Sequence, residues 1–311
     1  MIEIFSSENN KIKKFEKLEE LSNGAWINVY LPNAEEIENL SKFLNIDEQD
    51  IRDALDENER SRIDADPDDN RVLIIMNYPI LEPGSYDTSP LGIIITDKFI
   101  ITISKKEINF LNDFKLGKVK TFDTQKKARF LFQICYRISL LFVTYLTQMS
   151  RKIDTVEGSL KTSTQNKELL RLLDLNNSLI YFSTSLRANQ TVLEKINKIQ
   201  PFRIYEEDRE LLEDTVIENK QSIEMTSMYI NVLSGTMDAY ASIISNNLNA
   251  IMKFMTTWTI VIMLPTFIAS LFGMNVKVPL ANNPFAFFII ILICFVISIA
   301  LILFFTKKKF F

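Results

Sequence analysis

Histidine is missing from all 311 residues. That removes His-based triads, imidazole-ligated haem and His-ligated zinc. Cysteine occurs twice, as Cys135 and Cys294, 159 positions apart. Neither a disulfide framework nor a Cys-rich metal knuckle can be built from that pair. Glycine is down to 7 residues, and no Walker sequence or nucleophile elbow is present. Phosphate-cradling loops and the common covalent catalysts are therefore excluded, and no enzyme activity is expected. Acid is also missing from one region: between Met255 and Phe311 there is no Asp or Glu. Lys277, Lys307, Lys308 and Lys309 fall in that stretch, so the net charge of −4 hides an upstream balance of 31 basic against 39 acidic residues. An acidic body argues against nucleic acid as a partner and suits cations.

What the chain has in abundance is apolar sequence near its C-terminal end. Met255–Met274 gives 20 residues without a charge, and Phe285–Phe305 gives 21 more. A bilayer core of about 30 Å takes about 20 apolar residues of helix, so two transmembrane helices are predicted in preference to two buried core helices. The connection from Asn275 to Pro284, with Pro279, Asn282, Asn283 and Pro284, suits a turn between antiparallel helices. Lys253 flanks the first helix and Lys307, Lys308 and Lys309 follow the second, while the loop holds only Lys277. The positive-inside rule then places both chain ends in the cytoplasm, the short loop outside, and the protein in the cell membrane. Met1–Lys14 carries no long apolar run and does not read as a signal peptide.

The two membrane segments differ in texture. The second is smooth, with Ser298 its only hydroxyl before Thr306. The first carries Thr256, Thr257, Thr259, Thr266 and Ser270 around Pro265. From about Glu207 the chain reads as one helix up to the loop, about 100 Å at 1.5 Å per residue. One face can be followed along it in steps of three and four: Asn231, Gly235, Asp238, Ser242, Ser245, Asn249, Met252, Thr256, Thr259, Met263, Thr266, Ser270 and Gly273. Eleven of these thirteen are small or polar and two are methionine. A period of 3.5 residues keeps one seam on a common axis in a bundle. A solvated outer face explains the seam below Asn249 but not above Thr256, where the surroundings are hydrocarbon. A water-filled axis between copies of this helix is the preferred reading; polar packing without a conduit is the other. One lining helix per chain requires a ring of identical chains. With no carboxylate in the membrane part, a cation would be held by neutral oxygens through its hydration water, which suits Mg²⁺. Met252 and Met263 would form apolar collars able to gate by dewetting.

At the end of the first membrane segment stand Phe272, Gly273, Met274 and Asn275. Gly-Met-Asn, placed before a short loop and a second membrane helix, resembles the signature of the CorA family of divalent-cation channels. The resemblance extends over the whole chain. It implies a funnel-shaped homopentamer passing hydrated Mg²⁺ inward, with an α+β cytosolic domain in α/β/α layers, then long helices and two C-terminal transmembrane helices. It implies that Asn275 forms the outer cation-selecting ring, with Gly273 and Met274 shaping the turn, and that Asp238, Asn249, Met252, Met263 and Thr266 face the pore. It also implies inhibitory Mg²⁺ sites between cytosolic domains. By spacing from Asp238 and Asn249, one such acid falls at Asp214; its partner in the next subunit falls near Glu82, read here as a loop residue. No organic cofactor is implied. The external loop departs from the family pattern, with Lys277 and no carboxylate. Cobalt, nickel or zinc therefore stand as alternative cargo, although Met274 favours magnesium, and a non-conducting membrane-anchored scaffold is the alternative from another class.

Three divisions are expected: an α/β domain over residues 1–124, a helical stalk layer over 125–250, and the membrane part over 251–311. Strands are predicted at Trp26–Leu31, Arg71–Ile80, Leu91–Thr96 and Phe99–Ser104, with a hairpin at Thr96-Asp97-Lys98. Helices are predicted at Ala34–Ile46, Asp47–Asp56, Gln125–Thr162 and Lys167–Lys198, with a turn at Gln165-Asn166. Asp64–Asn70 reads as an acidic solvated loop around Pro67, lacking the spacing and glycine of an EF-hand. Phe130, Phe132, Ile134, Tyr136 and Ile138 read as packing residues.

Overall fold

Apolar runs such as Val72–Met76 and Leu91–Ile95 are what a strand needs when both of its faces are covered. The computed structural model, which describes residues 1–8, 11–16, 23–66, 71–160, 166–199, 204–276, 279 and 283–308, builds its sheet around such runs. The strands are β1 (Ile2–Glu8), β2 (Lys11–Phe15), β3 (Ala25–Tyr30), β4 (Arg62–Asp66), β5 (Arg71–Glu82), β6 (Ser85–Thr96) and β7 (Phe99–Ser104). Their order is β2-β1-β3-β7-β6-β5-β4. Among the described residues β3 and β7 pair parallel and the other neighbours are antiparallel.

The predicted strands are present, and three others join them at the sheet's margins. β2 and β4 are the two edges, reading Lys-Ile-Lys-Lys-Phe and Arg-Ile-Asp-Ala-Asp. Charged edge strands protect a sheet from foreign pairing and carry almost no apolar signal. The expected acidic loop is corrected in part, because Asp64 and Asp66 belong to β4 and Arg62 Nε donates to Asp64 Oδ2 at 2.6 Å. Pro67, Asp68, Asp69 and Asn70 lie outside the described residues.

Helices α1 (Ala34–Leu44) and α2 (Glu48–Asp53) cover one face. Beneath them Ile27, Val29, Leu73, Ile75, Ile94, Ile101 and Ile103 join Ile37, Leu40, Ile51 and Ala54 in one core. Gly92 is required there, since a Cβ would lie 2.3 Å from that of Ala54. The other face carries Trp26, whose ring packs with Phe5, Phe114 and Phe130. Phe114 comes from α3 (Asn109–Lys115), a short helix the sequence did not reveal. The long helices α4 (Lys127–Leu160) and α5 (Asn166–Ile199) complete this layer. Phe130, Phe132, Ile134 and Ile138 are fully buried, while Tyr136 is half-buried. The hairpin between β6 and β7 is present, and Lys127 Nζ donates to the carbonyls of Thr96 and Asp97 at 2.6 Å each.

Helix α6 runs from Glu206 to Phe272 with Pro265 inside it, and α7 from Ala286 to Lys307. By packing, the chain divides into Met1–Gly235 and Thr236–Phe311. The sheet and helices α4 and α5, set apart at residue 125 in the sequence reading, thus form one unit. Among the described residues three helices are long and apolar enough to cross a membrane: α4, α6 and α7. Burial separates them. The most apolar stretch of α4 is 56% buried, against 11% for α6 and 0% for α7. Helix α4 satisfies its apolar surface within its own unit; α6 and α7 do not.

Candidate functional site

The seam followed along α6 is a physical face. All thirteen of its residues, from Asn231 to Gly273, are exposed in the single chain. Within the C-terminal unit α7 covers another side. Thr257 and Val261 are buried, and Pro265, Ile268 and Phe272 are half-buried. At about 100° per residue those five positions centre on the side of α6 opposite to Met252, Thr256, Thr259, Met263 and Thr266. The Cys294 thiol of α7 reaches the Pro265 carbonyl on that covered side, at 3.8 Å. The second helix is thus backing, and the polar seam is left uncovered.

The chemistry of the seam is that of a neutral acceptor surface. Thr259 Oγ1 donates to the Met255 carbonyl and Thr266 Oγ1 to the Ile262 carbonyl, both at 2.8 Å. With its proton spent on the backbone, each hydroxyl offers lone pairs outward. Water bound to a cation points its hydrogens away from the ion, so an acceptor surface is what a hydrated cation meets best. Met252 and Met263 interrupt the acceptors and are 58% and 66% exposed. Asp238 and Asn249 are exposed on the same face, as is Ser270.

At the end of α6 the Gly273 N–H donates to the carbonyls of Ala269 and Ser270, at 3.0 and 3.1 Å. Met274 and Asn275 follow, both exposed. Helix α6 ends at Phe272, so the chain leaves helical geometry at Gly273, but Gly273 does not adopt positive φ, and a Cβ would meet nothing nearer than 3.5 Å. The turn does not need glycine's conformational freedom. Lys277 and Asn282 in the loop lie outside the described residues, as does Lys309.

The two candidate regulatory acids stand elsewhere. Asp214 is exposed on α6, at a groove it shares with Glu207, Glu210, Lys120 and Arg137. Glu82 is not in a loop but ends β5, opposite Ser85 at a two-residue turn where Gly84 takes φ +97°. Lys106 Nζ lies 2.7 Å from Glu82 Oε1, a pairing the sequence reading missed. Nothing in the sequence flags Lys106, because only the fold brings residues 24 apart together. Among the described residues no three acidic or cysteine side chains converge as a metal-holding group.

The family model for CorA-like Mg²⁺ transporter proteins matches residues 22–308. The chain belongs to the CorA family. This CorA-family chain is 30% identical over 293 residues to the cobalt/magnesium transport protein CorA of Methanocaldococcus jannaschii, covering 91% of one chain and 90% of the other. The complete structure of the CorA magnesium transporter from that organism superposes with a TM-score of 0.86 at 27% identity, covering 100% of this chain and 99% of its own. A curated CorA from Thermotoga maritima is 20% identical over 295 residues, 93% of this chain and 84% of that protein. The cytoplasmic domain of ZntB from Vibrio parahaemolyticus shares the fold alone, with a TM-score of 0.65 at 11% identity over 78% of this chain and 98% of its own. The CorA fold is that expected from the Gly273-Met274-Asn275 motif: an α/β domain, long helices and apolar C-terminal helices.

Proposed function

We propose that this CorA-type Mg²⁺ transporter conducts hydrated Mg²⁺ along a wet axis formed by five copies of α6. The observation that carries the reading is the uncovered seam of neutral acceptors on a membrane-length helix whose opposite side is backed by α7. Polar groups in hydrocarbon face water or protein, and a ring of copies supplies both. Asn275 stands just past the helix end, where five amide oxygens hold the ion's hydration water without trapping it by fixed charge. Met252 and Met263 form the apolar collars of a gate. Gly273, needed by no turn of its own chain, keeps the mouth narrow where the copies meet.

The lysines flanking the membrane segments support, by the positive-inside rule, an orientation with both chain ends in the cytoplasm and the motif loop outside. Inward flow then needs no nucleotide, because two charges crossing 100 mV gain about 4.6 kcal/mol. Closure comes from internal Mg²⁺ held between Asp214 of one subunit and Glu82 of its neighbour. Filled sites favour the closed ring, and the coupling is reciprocal.

Cobalt is the second reading. Two curated relatives are named cobalt/magnesium transport proteins, and the acid-free loop adds no fixed charge for choosing among divalent ions. The test is uptake into vesicles carrying the purified protein, with Mg²⁺, Co²⁺, Ni²⁺ and Zn²⁺ in competition. Mg²⁺ flux in the parent and none in Asn275→Ala, with the same oligomer in both, is the expected result. Vesicles that pass no divalent ion would leave only a scaffold.

A further inference from the structure

At the end of the helix pair that carries Lys307 and Lys308, α6 and α7 do not close against each other. They leave a crevice of about 170 Å³ between Trp258 and Val261 on one side and Ile302 and Thr306 on the other. Its surface is apolar. The one hydroxyl at its rim, on Thr306, donates to the Leu303 carbonyl at 2.9 Å. A helix about 10 Å across does not fit such a space. Water does not fill it either, for lack of polar partners, and left empty it forfeits dispersion contacts along its walls.

Position and charge say what does fill it. Val261 lies on the side of α6 opposite to the polar seam and Trp258 on the adjoining flank, so in a ring of copies the crevice faces away from the axis. Lys253 lies about 1.4 helical turns before Trp258, and Lys307 and Lys308 follow Thr306 directly. From Thr236 to Phe311 the only carboxylate is Asp238, against five lysines. An indole at the membrane–water boundary, an apolar slot beneath it and lysines above it match the three parts of an anionic phospholipid: glycerol level, acyl chain and phosphate. We propose that this crevice seats one acyl chain of an anionic phospholipid from the cytoplasmic leaflet, with its headgroup held by Lys253, Lys307 and Lys308. The assignment rests on the reading that these helices span the membrane with their lysines in the cytoplasm.

The chain holds two tryptophans, and Trp26 is fully buried in the sheet layer. Trp258 is therefore a reporter of its own site. The full-length protein is reconstituted in vesicles containing either phosphatidylglycerol or phosphatidylcholine with brominated acyl chains, at equal mole fraction, and tryptophan quenching is read against Trp258→Phe as baseline. The expected result is quenching several-fold stronger by the brominated anionic lipid. That preference is lost in Lys253→Gln/Lys307→Gln/Lys308→Gln, and lost again in Ile302→Trp/Trp258→Phe when quenching is read from the introduced indole, which fills the slot. Equal quenching by the two lipids overturns the anionic seat. Preference retained after the slot is filled overturns the seated chain and leaves only surface attraction. No quenching by either lipid places Trp258 outside the bilayer and overturns the membrane reading itself.

Discussion

Asn189 on α5 serves both backbone groups of Asn77 on β5. Its Nδ2 donates to the Asn77 carbonyl at 2.8 Å, and its Oδ1 accepts from the Asn77 N–H at 3.0 Å. The ladder between β4 and β5 ends at Arg62 and Ile75, so Asn77 lies where the edge strand has stopped. A side-chain amide continues the pairing that the missing strand would have made. The neighbouring helix position extends the tie, since Gln190 Oε1 accepts from Asn219 Nδ2 of α6 at 2.9 Å.

Asn189→Ala should therefore cost about 2–4 kcal/mol, because each buried group left unmet costs about 1–3 kcal/mol and Ser61 Oγ is close enough to serve the Asn77 N–H in part. Denaturant unfolding of the detergent-solubilised protein, followed by the emission of buried Trp26, gives the measurement. The expected sign is a lower midpoint with an unchanged slope.

Glu3 predicts a pH dependence. Burial pushes its carboxyl up, but hydrogen bonds and charge from Lys115 and Lys14, at 2.5 and 2.7 Å, hold it below the ordinary carboxylate value. A folded-state value below the unfolded one means stability that is present at neutral pH and is lost as pH falls through the folded value. Glu3→Gln should be less stable by about 1 kcal/mol at pH 7, after allowance for solvent screening. The two proteins should converge as the pH is lowered. A difference that stays constant down to acid would assign the loss to packing.

The elements that announced themselves in sequence were those whose residues answer to one neighbour. Val72–Met76 and Leu91–Ile95 are covered on both faces and read as unbroken apolar runs. Asn231–Gly273 keeps one period because one face differs from the rest. Lys11–Phe15 and Arg62–Asp66 did not announce themselves, since an edge strand is held by its partner's backbone and needs few buried apolar residues of its own; in β4 Ile63 is buried while Asp64 and Ala65 are exposed. Helix α4 misleads in the other direction: length and composition alone qualify it for a membrane, and the sheet and helix α5 packed against it account for its apolar residues. At the candidate site the motif and seam were legible, whereas the Lys106–Glu82 pair depends on a turn geometry that no local pattern records.

That pair bears on regulation. If Glu82 helps to hold internal Mg²⁺, Lys106 Nζ competes for the same carboxylate at 2.7 Å. Exposed pairs are worth about 0–1 kcal/mol, so Lys106→Met should shift closure to lower internal Mg²⁺ by up to about fivefold. Asp214→Ala should shift it the other way and weaken closure. Flux into vesicles preloaded with graded Mg²⁺ reads both. A Lys106→Met curve superposing on the parent's would remove the Lys106–Glu82 pair from the control of closure without touching the pore.

Thr266 tests the conduit. Its hydroxyl donates to the Ile262 carbonyl, which leaves its lone pairs on the seam. Thr266→Val keeps the branched shape and removes those acceptors, while Thr266→Ser keeps the acceptors and removes a methyl group. If hydration water of the ion runs along this face, the valine variant should lose flux by about tenfold, the equivalent of one hydrogen bond of about 1.4 kcal/mol, and the serine variant should stay near the parent. Assembly should be unchanged in both, since valine packs as well as threonine where copies touch. Were valine to conduct as the parent does, the seam's polarity would belong to helix packing, and the ion's path would have to lie elsewhere.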